Sequence, residues 1–325
     1  MVWRAVLLLA LAGAAGLCAP VPILFDTDIG SDCDDAGAVA ILHALADRGE
    51  ARILGMASCN VNRYSAAALD ALNTYYGRPH IPVGTLKGDL KGPPEHSSYA
   101  EHLANNFPNR LRTAGKAPDA VSLYRRILAK QPDRSVVFVA VGWLTNLRNL
   151  LRSGPDEDSR LDGCELVKRK VKLLVDMGPK IRPPGKGWNF EQDAASAREV
   201  VNNWPTPIVF SPKEICWAET GGRLSETPEA NPVRKAYQLW FASHGKGEKT
   251  RHSADLTAVL YAVRRLGPYW TLVSDGGLEV HEDGYSEWRS APDSDHSYLV
   301  KKMPFDELAR VLDELMIQPP ARGQR

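Results

Sequence analysis

Short apolar runs alternate along the chain with stretches of helical spacing. Strand-length runs fall at Ile23–Phe25, Ile53–Ala57, Ile81–Val83, Val136–Val141, Val171–Val175 and Pro207–Phe210. They are rich in β-branched residues and nearly continuous, the pattern of parallel strands covered on both faces. Between them, Ala36–Arg48, Ser65–Tyr76, Ala120–Lys130, Leu144–Arg152 and Ala194–Asn202 read as helices. This alternation predicts an α/β fold: an open, mostly parallel sheet with helices on both faces. Further helices are expected from Asn231 to about Ser243, from Asp255 to Leu266 and over Phe305–Ile317, and Trp270–Val300 alternates like hairpin strands. Two stretches break the rhythm. Lys87–Pro118 is rich in Gly, Pro, Asn and His, with one helix expected around Tyr99–Asn106, and Gly178–Asn189 is a Pro/Gly loop. Long loops in compact domains are often functional. No repeat or linker composition divides the chain, so residues 20–325 are expected to form one domain.

Composition narrows the function classes. Of 325 residues 44% are hydrophobic and 24% charged, with a net charge of +1 and no long Lys/Arg run, so a nucleic-acid surface is not indicated. Residues 1–19 have the layout of a secretory signal peptide: Arg4, an apolar stretch, then small residues. That stretch is too short to span a bilayer comfortably. The expectation is a secreted or periplasmic protein with no stable membrane insertion after processing. Lipid anchoring through Cys18 is a lesser alternative, since Leu17 fits such a cleavage point poorly. Cys33, Cys59, Cys164 and Cys216 either pair as two disulfides or serve as small buried hydrophobes. None has CxxC spacing, which argues against zinc.

The chemistry concentrates in FDTDIGSDCDDAGA, Phe25–Ala38. Asp26, Asp28, Asp32, Asp34 and Asp35 fall within ten residues, directly after an apolar strand. Like charges at close range repel, and burying them is costly without a positive partner. No matching Lys/Arg block lies nearby, so the missing cation is a metal. Hard oxygen ligands select Ca²⁺ or Mg²⁺. Asp26 and Asp28 alternate at the strand's end, so they point to opposite sides or along the rim, where ligands bind in open α/β sheets. Gly30 permits a tight turn, and Asp34 and Asp35 open the next helix, where free N–H groups and the dipole favour carboxylates.

DTDIGSDCDDA resembles the N-terminal signature of the inosine/uridine-preferring nucleoside hydrolases, DTDPGxDDA, in a variant with two extra residues before the final DD. The likeness continues in order: Cys59-Asn60 after the second strand; Ile81-Pro82-Val83-Gly84, like IPVxxG; Val141-Gly142-Trp143-Leu144-Thr145-Asn146, like TGxLTN; Met177-Gly178 followed by Trp188-Asn189-Phe190 and Asp193; and Arg251-His252-Ser253-Ala254-Asp255, like the late HD motif. The resemblance implies the nucleoside hydrolase fold with a Rossmann-like core, one bound Ca²⁺, and hydrolysis of the N-glycosidic bond of ribonucleosides to free base and ribose. It makes Asp28 both a Ca²⁺ ligand and the general base on a metal-bound water. Asp35, the Val141 carbonyl and Asp255 complete the metal shell, and Asp34, Asn60 and Asn189 hold the ribose. The substrate would be a small nucleoside or related glycoside, and family members are often dimers or tetramers, so a homo-oligomer is expected.

Three departures leave alternatives open. The insertion places Asp32 inside the motif, where it either replaces Asp34 as a ligand or faces water. His252 lies three residues before Asp255 instead of beside it, and Ala254 takes the family's histidine position. Leaving-group protonation then falls to His252, His96, His102, Trp188 or Tyr99, or gives way to stacking on Trp143 and Trp188. Two rival readings use the same metal site: a hydrolase of another glycosyl substrate, and a non-catalytic Ca²⁺-dependent sugar-binding protein. Asp26-Thr27-Asp28 also looks like the DxD of haloacid dehalogenase phosphotransferases, but that family lacks the Gly30…Asp34-Asp35 continuation.

Overall fold

The computed structural model describes residues 19–88, 99–244 and 247–321. The chain begins with β1 (Val21–Thr27), α1 (Asp34–Asp47), β2 (Ala51–Ser58), α2 (Ser65–Tyr75), β3 (Val83–Thr85) and α3 (Tyr99–Asn106). It continues through α4 (Ala120–Ala129), β4 (Val136–Ala140), α5 (Thr145–Leu151), α6 (Gly163–Lys170) and β5 (Val171–Asp176). The middle holds β6 (Lys180–Ile181), β7 (Pro184–Lys186), α7 (Trp188–Gln192), α8 (Ala194–Asn203), β8 (Ile208–Phe210) and β9 (Glu219–Thr220). The last part has α9 (Pro232–His244), β10 (Arg251–His252), α10 (Ala254–Arg264), β11 (Trp270–Val273), β12 (Gly277–Val280), β13 (Tyr285–Arg289), β14 (His296–Lys301) and α11 (Phe305–Met316).

Eight strands form the main sheet in the order β11-β14-β8-β5-β4-β1-β2-β3. All neighbours run parallel except β11, which pairs antiparallel with β14 at the edge. The strand order therefore reverses between β1 and β4, and in open α/β sheets ligands bind at that switch point, beyond the carboxyl ends of the strands. Apolar residues alternate between two layers. Ile23 and Phe25 of β1 pack with α1, α10 and α11 on one face, and Leu24 packs with α4, α5 and α8 on the other. Every residue of β4 is buried, as expected of a central strand sandwiched by helices.

The strands and long helices lie where the apolar pattern places them, within a residue or two. Three features differ. The eight-residue α6 is unheralded; its Asp162 cap accepts a hydrogen bond from the Glu165 N–H at 2.9 Å, but only Gly163, Leu166 and Val167 are buried, too few for a visible stripe. The Pro/Gly loop contains β6, β7 and α7. Finally, Trp270–Val300 does not form one hairpin system. β11 and β14 join the main sheet, whereas β12 and β13 pair with β7 and β6 in a separate four-stranded sheet. Alternation alone does not tell a strand which sheet to join. Cys33, Cys59, Cys164 and Cys216 are free thiols, three of them buried, so the small-hydrophobe alternative describes them here. Among the described residues no helix is long and apolar enough to cross a membrane.

His43 lies in the middle of α1 with no exposure. Its ring stacks on Tyr76 at 4.6 Å, its Nε2–H donates to Asn73 Oδ1 at 2.8 Å, and Nδ1 faces the Arg78 guanidinium. Burial, reinforced by Arg78, pushes its pKa down to about 3. The unfolded chain therefore takes up this proton first, and the contribution of neutral His43 is complete above pH 6.5 and is lost as pH falls towards 3. Comparing urea unfolding of the wild type with His43→Gln should show the wild type losing roughly 1.4 kcal/mol per pH unit relative to the variant between pH 6 and 4. A constant difference between the two would refute the assignment.

Candidate active site and metal centre

The turn after β1 is built by its neighbours. Gly30 has φ +111°, and its N–H donates to the Tyr99 hydroxyl at 2.7 Å. That conformation is open to glycine and strained for other residues. Asn60 holds the turn from below. Its Nδ2 donates to the carbonyls of Asp28 (2.6 Å) and Ile29 (2.9 Å), and its Oδ1 accepts from Ser65 Oγ and the Asn62 N–H. β4 approaches from the other side at Gly142, where an added Cβ would lie 2.5 Å from the Asp28 nitrogen and 2.6 Å from Cys59 Sγ. Only a glycine lets the two strand ends come this close.

Asp26 and Asp28 point to opposite sides. Asp26 points into the helical layer, where Tyr124 Oη and Asn146 Nδ2 donate to its Oδ2. Burial lifts its pKa to about 7, the two hydrogen bonds opposing the shift. It joins β1 to α4 and α5. The other acids behave differently. Ligand atoms of Asp34, Asp35 and Asp255 lie within 4.8 Å of one another, all buried. Asp35 accepts a hydrogen bond from the Thr27 hydroxyl. Asp34 Oδ2 accepts from the backbone N–H groups of Ala254 (3.0 Å) and Asp255 (3.2 Å), the first residues of α10. Asp28 stands beside them and accepts from Ser31 Oγ at 2.6 Å. Desolvation raises Asp28 to about 6 and Asp34 to about 8, and lifts Asp35 and Asp255 well above the carboxylate range; mutual repulsion adds to each. Arg251, which is held by Asp32, and Lys213 line the same cavity, but among the described residues no ion pair joins a Lys or Arg to any of these four carboxylates. Clustered, buried, oxygen-only donors with nothing to neutralise them fit a hard divalent cation.

Asp32, the inserted acid, is placed apart. Its carboxylate is clasped by Arg251 through Nε (3.0 Å) and Nη2. The cluster therefore contains Asp34 and not Asp32. The Val141 carbonyl follows β4 and lines the same cavity; it accepts from Asn189 Nδ2 at 2.8 Å, as does the Met177 carbonyl. Among the described residues Asn189 Oδ1 has no donor, and Asn189 lines the cavity, while Asn60 has both ends of its amide engaged in shaping the turn. Trp188 is about half exposed at the mouth.

These groups line a cavity of about 510 Å³ at the carboxyl ends of β1 and β4. Its floor is acidic. One wall carries Trp143, Asn60 and Asn62, another Met177, Trp188 and Asn189, and a third Trp240, His244, Arg251 and His252. Of the proton donors weighed from sequence, His252 lines the cavity, Tyr99 has its hydroxyl engaged by Asp32 and Gly30, and His102 packs against Phe107. His96 lies outside the described residues. The third wall, with its Trp240–Arg251 stack at 4.5 Å, was not anticipated. The only sequence signal was Arg251 at the head of the Arg-His-Ser-Ala-Asp segment.

The sequence model of the inosine-uridine preferring nucleoside hydrolases matches residues 23–298. Solved structures share the fold at low identity. A plant nucleoside hydrolase is 17% identical with a TM-score of 0.69, covering 92% of this chain and 100% of its own. A purine-preferring ribonucleoside hydrolase from Gardnerella vaginalis is 16% identical with a TM-score of 0.69, covering 91% and 97%. The type III effector protein XopQ, complexed with adenosine diphosphate ribose, is 13% identical with a TM-score of 0.68, covering 93% and 95%. No curated protein matches by sequence.

The geometry makes Asn60 a test of how the acid turn is held. Asn60→Ala leaves the Asp28 and Ile29 carbonyls without their donor, which should cost about 1–3 kcal/mol of stability in denaturant unfolding. The same variant should bind divalent cations more weakly by calorimetry. Unchanged stability would remove Asn60 from this role.

Proposed function

The chain belongs to the inosine-uridine preferring nucleoside hydrolase family and is an N-ribohydrolase by that membership, and from this premise we propose that it is a Ca²⁺-dependent enzyme that hydrolyses the N-glycosidic bond of ribonucleosides. The observation that carries the metal dependence is the buried trio of Asp34, Asp35 and Asp255 with no basic side chain among them. Asp28, Asp35, Asp255 and the Val141 carbonyl would hold the ion, with Asp34 beside them at the ribose hydroxyls. Bound there, a calcium ion would lower the pKa of the attacking water and offer open oxygen positions to the ribose diol.

The chain's own residues do the rest. Asp28 takes the proton from the attacking water. Ser31 holds the Asp28 carboxylate in orientation. Asn189 Oδ1 accepts a ribose hydroxyl. As the C1′–N bond lengthens, positive charge builds on the sugar, and the surrounding carboxylates stabilise it. Trp143 and Trp188 offer apolar faces to the base and exclude water. Residues 1–19 direct the chain out of the cytoplasm, and the mature enzyme acts in a secreted or periplasmic setting on small nucleosides, as a homo-oligomer. A second reading, hydrolysis of another glycosyl substrate at the same site, is favoured by one observation: Ala254 stands where the resemblance expects a histidine.

Ribose release from a panel of ribonucleosides, followed as reducing sugar, tests the proposal. Release should require Ca²⁺ and stop on adding EDTA, and Asp28→Asn should lower turnover about 10²–10⁴-fold while calcium still raises the melting temperature. Turnover that persists in Asp28→Asn would refute its role as base. Thermal melting gives a separate check on the metal. Ca²⁺ at 100 times its Kd should add about 2.7 kcal/mol of stability, and this gain should be lost in Asp255→Asn.

A further inference from the structure

The carboxylate floor serves the sugar half of the reaction and leaves the departing base without a donor. Breaking C1′–N places the bonding electron pair on a ring nitrogen, and a positioned donor lowers the barrier by meeting the charge as it develops. Ala254 has nothing to donate. Tyr99 is engaged on both sides of its hydroxyl. His252, like Arg251, lines both the main cavity and the outer depression with Glu219 and Glu248, and its ring lies against Trp217 at 5.8 Å.

Arg251 differs in how its side chain is held. Nε and Nη2 are fixed on the Asp32 carboxylate, and the guanidinium lies over the Trp240 ring at 4.5 Å. His244 stacks on the same ring at 5.1 Å and 15°. The guanidinium is therefore held in position and plane by two contacts, and its side chain is three-quarters buried. Nη1 has no acceptor among the described residues, and the side chain lines the cavity beside Asp34 and Asp255. An arginine clasped on one edge and stacked on one face presents its remaining edge as a preorganised, permanently charged donor.

We propose that Arg251 is the catalytic residue of the leaving-group side: Nη1 hydrogen-bonds an acceptor of the departing base and stabilises the negative charge the base acquires. Asp32 and Trp240 are its positioning residues, which gives the inserted acid a role. The assignment rests on the N-ribohydrolase reading. In the step, the water oxygen bonds to C1′ and its proton passes to Asp28. The C1′–N bond breaks and its electron pair goes to the base. The guanidinium keeps its protons, and the base takes one from solvent on release.

The test compares inosine with p-nitrophenyl ribofuranoside on the full chain with saturating Ca²⁺. The second substrate expels a stable phenolate and gains little from a donor. Arg251→Gln should lower kcat for inosine about 10²–10³-fold but kcat for the p-nitrophenyl riboside by less than about fivefold. Arg251→Lys keeps the charge but loses the two-point clasp on Asp32; it should show the same contrast, reduced. If Arg251→Gln does not fold, the contrast is read from Arg251→Lys. Equal losses on both substrates, in a variant that melts like the wild type, would make Arg251 structural and overturn the assignment. Undiminished inosine turnover would overturn it as well. A wild type that releases ribose from neither substrate would instead overturn the N-ribohydrolase reading, and this assignment with it.

Discussion

Burying like charges is the constraint on which the rest of the site depends. Asp28, Asp34, Asp35 and Asp255 are each no more than 4% exposed. Water would have solvated each of them far better than an apolar sheet edge does. The fold responds with neutral donors: the hydroxyls of Ser31 and Thr27, and two backbone N–H groups at the start of α10. The N-termini of α1 and α10 both open at the cluster, and their partial positive charge helps further. None of these groups neutralises a carboxylate. The one guanidinium at hand, Arg251, is held by Asp32 at the edge. What remains is a concentrated negative potential whose natural complement is a small dication.

The scaffold reaches this arrangement through strand order. Because β1 and β4 lie side by side at the reversal of the sheet, their carboxyl ends bring the acid turn and the Val141 carbonyl together. Gly142 permits the approach, and Asn60 fixes the turn from the next strand over. Asp26 illustrates how finely the roles divide. It is two residues from Asp28 and carries the same carboxyl group, yet the strand directs it into the layer below, where Tyr124 and Asn146 hold it as a structural acid.

Much of this was legible in the sequence, for physical reasons that also explain the rest. Nearly continuous apolar runs at Val136–Val141 and Val171–Val175 mark buried parallel strands because both faces need apolar cover. The density of aspartates after β1 marks a candidate cation site, because buried carboxylates without basic partners fit a dication. Single residues were harder to place. Whether Asp32 or Asp34 joins the cluster depends on how a two-residue insertion is absorbed, and that was decided by partners more than 200 residues away: Arg251 for one, the Ala254 and Asp255 amides for the other. Asn60 lines the cavity, but both ends of its amide are engaged in shaping the turn. The Trp240–Arg251 stack joins two segments with no shared motif, so no local pattern announced it. α6 and the division of the last strands between two sheets were missed because short or alternating segments take their placement from tertiary contacts.

The bond from Asp34 to the first turn of α10 spans 220 residues of chain. Closing so long a loop is entropically unfavourable until the intervening strands and helices have already drawn its ends together. The ligand set is thus among the last features to come together as the chain folds. Any fragment ending before Asp255 carries the whole aspartate signature and still lacks the donor set, so a partly synthesised or clipped chain would hold the acids without the means to gather them. The site acts, in effect, as a record that the fold has been completed.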